Sequence, residues 1–246
     1  MALLLKLNIT ITRLMIFVTY SAFNSYLFPK NVWSKVQLCI SISYRHRNRT
    51  FLQERKMIFD LVYRNRSYRR FYEEKRLTRA QLIELIKIAR YIPSAGNLQK
   101  LRYFLIYEED KCDLIFPHLK WASYLKTWDG PVKGERPSAY IIISAPVNSQ
   151  KMVAIDAGIA AQTILLSAVD NGFGGCMLAS VDKQEVQNAF SLPEELEIML
   201  VIALGYPAET IVLLDVIEPD KIEYWRDEKG IHYVPKRKIS ELIINY

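Results

Sequence analysis

Residues 64–71 read Arg-Asn-Arg-Ser-Tyr-Arg-Arg-Phe and set four arginines around one serine hydroxyl where an apolar segment ends. Each guanidinium presents a planar fork of donors that matches phosphate oxygens, and a serine between two of them adds a short neutral donor. The same run also suits a solvated face or a nucleic-acid patch. What distinguishes it is the company it keeps downstream. About 25 residues on comes the loop Pro93-Ser94-Ala95-Gly96-Asn97-Leu98-Gln99, and a second basic cluster, Lys236-Arg237-Lys238, follows Pro235.

The chain carries 33 Lys+Arg against 26 Asp+Glu, a formal +7. A net charge of this sign suits nucleic acid or an anionic membrane. Its distribution argues otherwise. Residues 1–56 hold nine basic residues and one acid, +8 in all, which leaves the remaining 190 residues at −1. A nearly neutral body with one local cationic cluster suits a small anion, whereas duplex binding favours a basic face spread over the domain. No nucleic-acid partner is therefore expected.

The head itself shows no clean period. A transmembrane helix needs about 20 predominantly apolar residues, and Arg13, Asn24, Ser25 and Lys30 crowd the best window. Lys6 and Arg13 could flank a secretory signal, although no small-x-small cleavage site follows. Patterned sequence begins abruptly at Met57-Ile58-Phe59, so residues 1–56 are expected to be an extension of uncertain status, with membrane contact only through it. Cys39, Cys112 and Cys176 are odd in number and have no CxxC or companion histidine among His46, His118 and His232. Neither a disulfide nor a metal site is expected, the cysteines read as small apolar fillers, and a reducing, cytoplasmic setting fits.

The body from 57 to 246 reads as alternating helices and strands that must hold these motifs. A helix over about 57–63 has Met57, Ile58, Leu61 and Val62 on one face. Thr78 and Gln81 form a capping box, Leu77 and Leu82 a hydrophobic staple, and Leu82, Leu85, Ile86 and Ala89 a buried stripe. Strands are expected at Arg102–Tyr107, Ala139–Ala145, Gly174–Ala179, Glu197–Leu204 and Ile211–Leu214. The run Ala139–Ala145 is apolar throughout, as where both faces of a sheet are covered. A long helix at about 152–171 carries Ala154, Ala157, Gly158, Ala160 and Ala161, which allow close approach of another helix, and Gly172 ends it. Asp182 and Glu185 open a short helix that runs to about Phe190. The tail from Thr210 reads as an arm that crosses to a partner subunit.

Arg-Ser-x-Arg, then Pro-Ser-Ala-Gly-Asn-x-Gln, an Asp156-Ala157-Gly158 helix, a Gly-x-Gly-Gly-Cys strand and a late basic pair stand in one order. In that arrangement residues 57–246 resemble the FMN-dependent nitroreductase family. The resemblance implies an α+β sandwich with a central, mostly antiparallel sheet flanked by helices. It also implies a homodimer with exchanged C-terminal arms and one FMN at each end of the interface. Arg66, Ser67 and Arg69, helped by Asn65, would hold the FMN phosphate, with Arg237 and Lys236 returning to it from the arm. Ser94 and Asn97 match positions that approach the flavin ring, and Met177, Leu178 and Ala179 match the segment lying against it.

The activity implied is ping-pong electron transfer from NADH or NADPH to a small nitroaromatic, quinone-like or other planar acceptor, with no side chain assigned as catalytic. Within the family, reductive dehalogenation and flavin-consuming chemistry stay open as alternatives. Many relatives have Gln-Pro-Trp where this chain has Gln99-Lys100-Leu101-Arg102, which leaves the substrate-side wall unassigned; Arg102 or Lys100 could face the reduced ring. Lys126–Arg136 reads as a mobile flap, with Trp121, Tyr124 and Trp128 free to stack on a planar substrate or to be buried. Two rivals stand beside this reading: a nucleic-acid-associated protein using the head and the Arg64–Arg70 cluster, and a membrane-tethered flavoprotein. If the head is a non-native extension, intact-mass analysis of the endogenous protein gives a chain beginning at Met57.

Overall fold

The computed structural model describes residues 57–149, 151–216, 218 and 221–244. By internal contacts the chain divides between Ile58 and Phe59, and the fold below is that of the second unit. The expectations for residues 1–56, Cys39 and His46 included, lie outside the described residues.

Helix α1 occupies 57–64. Of the face expected to be buried, Met57, Ile58 and Val62 are exposed and Leu61 is half-buried among the described residues. Helix α2, Arg79–Ala89, begins at the expected capping box, with the Thr78 hydroxyl accepting from the Gln81 amide and Gln81 reaching back to the Thr78 amide. Leu82, Leu85 and Ala89 are buried and Ile86 packs beside them.

Four antiparallel strands form the central sheet: β1 (Arg102–Ile106), β2 (Ala139–Pro146), β3 (Gly174–Leu178) and β4 (Leu196–Gly205), in the order β1-β2-β4-β3. The central strand β2 has layers on both sides, which accounts for its continuous apolar run. Ile141 and Ile143 point, with Ile202 and Leu204 of β4, into a core shared with α2 and the long helix α4 (Lys151–Asp170). Tyr140 and Ile142 point the other way, into a core with Cys176, Leu178, Ile115 and Trp121. Ala157, Ala160 and Ala161 of α4 are spent on close packing against this first core, and Gly172, at φ 83°, ends the helix turn as expected.

Several elements carried no sequence signal, among them the following two. Helix α3, Glu109–Ile115, buries only Cys112 and Ile115, too few for a periodic stripe. The short strand β6, Trp225–Arg226, is fixed by pairing alone. Helix α5, Lys183–Ala189, starts at Asp182, whose carboxylate accepts from the Glu185 amide. Within the chain the tail folds into a second small sheet, ordered β5-β7-β6: β5 (Ile211–Asp215) runs parallel to β7 (His232–Lys236), and β6 pairs antiparallel to β7. Helix α6, Ile239–Leu242, follows.

The edge strand β3 carries the close approach that matters for function. Residue 67 bridges residue 175 in parallel, and the Tyr68 amide donates to the Gly175 carbonyl at 3.1 Å. A Cβ on Gly174 would stand 2.6 Å from the Tyr68 ring, and one on Gly175 would collide with the Ala203 carbonyl oxygen on β4. That oxygen belongs to the sheet backbone and cannot yield. Gly175→Ala is therefore expected to cost about 1–3 kcal/mol through overpacking, seen as a lower denaturation midpoint, and to speed hydrogen exchange at the Tyr68 amide.

Candidate functional site

The cationic octet begins where α1 ends. The Asn65 amide donates to the Leu61 carbonyl at 2.9 Å, and Nη2 of Arg66 to the Val62 carbonyl at 2.6 Å, so a cation covers the exposed carbonyls of the last turn. The segment then extends along β3, and its arginines separate. Arg64 pairs with Asp60 at 2.8 Å and Arg70 with Glu135 at 3.1 Å. Arg66 and Arg69 instead line a cavity of about 240 Å³ with Asn65, Ser67, Tyr224, His232 and Lys236, closed by Ile211 and Val234. Lys236 follows Arg66 by 170 residues, and the pairing of β7 with β5 is what brings it there.

The cavity is suited to an anion. Nη1 of Arg69 donates to the Ser67 carbonyl at 3.2 Å, and its guanidinium carbon lies 5.1 Å from the centroid of the Tyr224 ring. The Nε atoms of Arg66 and Arg69 are buried and have no hydrogen-bond partner among the described residues. Buried cationic N–H groups without acceptors are uncommon, and an oxyanion supplies what they lack. The volume falls short of the roughly 300–1,000 Å³ typical of pockets for drug-sized ligands, so it suits a small oxyanion group rather than a larger molecule.

Behind the cavity lies a buried carboxylate that no pattern in the sequence marks. Oε1 of Glu209 accepts from the backbone amides of Arg69 and Arg70, the latter at 3.2 Å. Oε2 accepts from Nη2 of Arg226 at 2.8 Å and lies 3.6 Å from Nδ1 of His232. Burial alone would raise the Glu209 carboxyl; the His232 ring, the Arg69 amide and Arg226 outweigh it and hold the group below its ordinary 4.5. Arg226 in turn lies flat over Trp128, 4.2 Å from the ring centroid.

The other expected residues lie elsewhere in the single chain. Ser94, Gly96 and Asn97 form a tight turn in which Gly96 sits at φ 57° and Asn97 at φ 54°. The turn is anchored by Asp156 of α4, whose carboxylate accepts from the Ala95 amide at 3.1 Å; this gives the Asp-Ala-Gly helix a local role. Ser94 lines a separate, mainly apolar cavity of about 390 Å³ between α2 and β1. Neither Ser94 nor Asn97 lines the cationic cavity. Met177 and Ala179 are exposed on the β3 edge beside Ser67, and Leu178 is buried. Arg237 lies just past β7, 3.5 Å from Glu241, and is not part of the cavity lining. Arg102 folds back on the Gln99 and Leu101 carbonyls.

The segment read as a flap is tied to the body. Glu73 accepts from the amides of Gly134 and Arg136, Arg136 pairs with Asp113 at 3.2 Å, and a Cβ on Gly130 would stand 2.5 Å from the indole of Trp121. Trp121 is buried and Trp128 packs on the core, so of the three aromatics only Tyr124 is exposed, meeting Tyr224 edge-on at 5.0 Å. The residues that sequence reasoning missed, Tyr224 and His232, sit in strands or turns too short to show a period.

The Glu209 cluster makes stability depend on pH with a definite sign. A carboxyl held low in the folded state contributes stability that is present above its ordinary value and lost as pH falls below it. Glu209→Gln strands the Arg226 charge, with only 9% of that side chain exposed. The substitution is expected to cost about 3–5 kcal/mol at pH 7. Thermal melts of the two proteins should converge as pH drops below about 4.5.

Comparison with known proteins agrees with this architecture. A model of the Nitroreductase family matches residues 62–206. An iodotyrosine deiodinase of Thermotoga neapolitana is 28% identical over 199 residues, spanning 72% of this chain and 98% of that protein. A nitroreductase family protein from Clostridium difficile 630 superposes with a TM-score of 0.53 at 17% identity, covering 75% of this chain and 95% of the other. An FMN-dependent nitroreductase from Clostridium difficile R20291 gives a TM-score of 0.50 at 19% identity, covering 61% and 87%. At these identities the two structures speak for the fold, and the family model, which spans more than half of the sequence, speaks for descent: the chain belongs to the nitroreductase family of oxidoreductases.

Proposed function

We propose that the chain is an FMN-dependent oxidoreductase that draws electrons from NADH or NADPH and delivers them to a small planar acceptor. The observation that carries this reading is the cationic cavity, where Arg66, Ser67 and Arg69 meet Lys236 and two arginine Nε atoms are left without acceptors. FMN, when bound, supplies the redox chemistry: its ring takes up reducing equivalents from the nicotinamide donor and gives them to the second substrate in turn. The chain's own groups supply placement. Arg66 and Arg69 offer charged N–H donors to phosphate oxygens, Ser67 a hydroxyl, Asn65 an amide and Lys236 a compact positive charge, with Arg237 adjoining on the same arm. Met177, Leu178 and Ala179, on the β3 edge next to Ser67, are where the rest of the cofactor would lie.

A single chain does not bring Ser94 and Asn97 to this cavity, and we infer that a second copy does. Met152, Ile155 and Ile159 form an exposed apolar stripe on α4, the helix whose Asp156 anchors the Ser94–Asn97 turn. A Cβ on Gly158, in the same stretch, would meet nothing within 4 Å, which leaves room for the backbone of another helix. Exposed Met57, Ile58 and Val62 on α1 add to the apolar surface that a homodimer would cover.

A more specific reading takes the acceptor to be a halogenated phenol reduced with loss of halide. It is favoured by the relative named iodotyrosine deiodinase, nearly all of whose length the chain spans. Halide release from 3-iodotyrosine by the dithionite-reduced protein supports it; reduction of nitroaromatics or quinones without halide release supports the broader reading.

The deciding experiment on the cofactor is the visible spectrum of the purified full chain and identification of what it releases on heating. A yellow protein releasing FMN is expected. Arg66→Ala and Arg69→Ala each remove charge-assisted bonds worth about 1.5–3 kcal/mol, so each should weaken FMN roughly ten- to a hundredfold. A colourless protein that also takes up no added FMN, or a double variant that retains FMN fully, would reject the assignment and return the cluster to a nucleic-acid role.

A further inference from the structure

His232 is almost fully enclosed, with 1% of its side chain exposed, yet neither ring nitrogen makes a hydrogen bond among the described residues. Each buried polar atom left unpaired costs on the order of 1–3 kcal/mol, so such a ring calls for a partner. Its protein surroundings account for one side of it. Nδ1 lies 3.6 Å from Oε2 of Glu209, and Tyr224 meets the ring edge-on at 5.3 Å between centroids. The ring also lines the cavity that holds Arg66, Ser67, Arg69 and Lys236.

We propose that His232 is a further ligand of the phosphate in this cavity and carries a proton when the phosphate is bound, with Nδ1–H turned to Glu209 and Nε2–H donating to a phosphate oxygen. This rests on the phosphate reading of the cavity given above. The charges around the ring make the proton and the anion arrive together. Arg226 is its register partner on β6, Arg69 stacks on Tyr224, Lys236 is on its own strand, and Arg66 enters from the end of α1. Glu209, before β5, is the acid facing them. Asp227 is engaged by the Ile231 amide at 2.9 Å and the Tyr233 hydroxyl at 3.2 Å.

A phosphate dianion in this cavity would place negative charge within reach of the ring and so favour its protonated form. Histidine changes charge within the range of about pH 5 to 8, and by linkage a proton that strengthens phosphate binding is itself bound more tightly by the phosphate complex. The cavity so built selects a phosphomonoester over the uncharged ribityl end of riboflavin, and does so most strongly at low pH.

The test measures dissociation constants of FMN and riboflavin by flavin fluorescence for the full chain and for His232→Gln, from pH 5.5 to 8.5. Titration of the free phosphate of FMN affects both proteins alike, so the ratio of variant to wild type is the quantity to read. For FMN that ratio should be about tenfold or more at pH 5.5 and fall toward one at pH 8.5; for riboflavin it should stay near one throughout. An FMN ratio that does not change with pH, or an equal effect on riboflavin, overturns the proposal. A wild type that binds FMN no better than riboflavin overturns the phosphate reading and this proposal with it, an outcome distinct from a flat ratio.

Should His232→Gln fail to fold, nitrogen-15 spectra of histidine-labelled wild type decide, with signals assigned through His46→Gln and His118→Gln. An imidazolium pattern at His232 on adding FMN at pH 7.5 supports the proposal. A neutral ring unchanged by FMN overturns it.

Discussion

Glu209 joins two parts of the chain that sequence separates by well over a hundred residues. One oxygen holds the backbone of Arg69 and Arg70 and the other holds Arg226 beside His232. A carboxylate this deeply buried is tolerable only when its lone pairs are filled by donors and its charge is balanced, and here both conditions are met by groups that define the cavity. The requirement runs in both directions: the acid needs its three donors, and the cationic segment needs the acid to stay in register beside the tail sheet. The site geometry is thus a by-product of satisfying one charge.

Legibility in the sequence followed the number of residues that cooperate in a signal. The α2 capping box, the β2 run and the glycine after α4 each combine several side chains with a fixed period or offset, and each was readable. Arg66, Ser67 and Arg69 were singled out from an octet that also contains Arg64 and Arg70. The structure sorts them by partner, giving Arg64 to Asp60 and Arg70 to Glu135. Glu209, Tyr224 and His232 were not legible, because each acts through long-range contacts made by irregular or very short elements. The aromatics of 121–128 illustrate a third case, in which composition left a stacking role and a buried one open and packing buried Trp121 and half-buried Trp128.

The two glycines at 174 and 175 show how a short-range steric condition supports a long-range electrostatic one. By admitting residues 67–68 against the sheet edge, they place the serine hydroxyl and its flanking guanidiniums beside the strand on which the proposed cofactor would rest. Neither glycine touches the cavity. Their contribution is the distance at which charged groups stand, and in a partly enclosed site a displacement of an ångström or less alters the strength of every charge-assisted bond.

Because Arg66 and Lys236 line one cavity from positions 170 residues apart, the wall is completed in two instalments during synthesis. At the usual elongation rate of roughly 5–20 residues per second, about 10–30 s pass between them. The four-stranded sheet can be complete only once β4, ending at Gly205, has been made, and until then the cationic segment has neither β7 beside it nor Glu209 beneath it. The unfinished chain therefore carries these guanidiniums before the rest of their wall exists. Completion of the cavity wall is a late event in the life of the nascent protein.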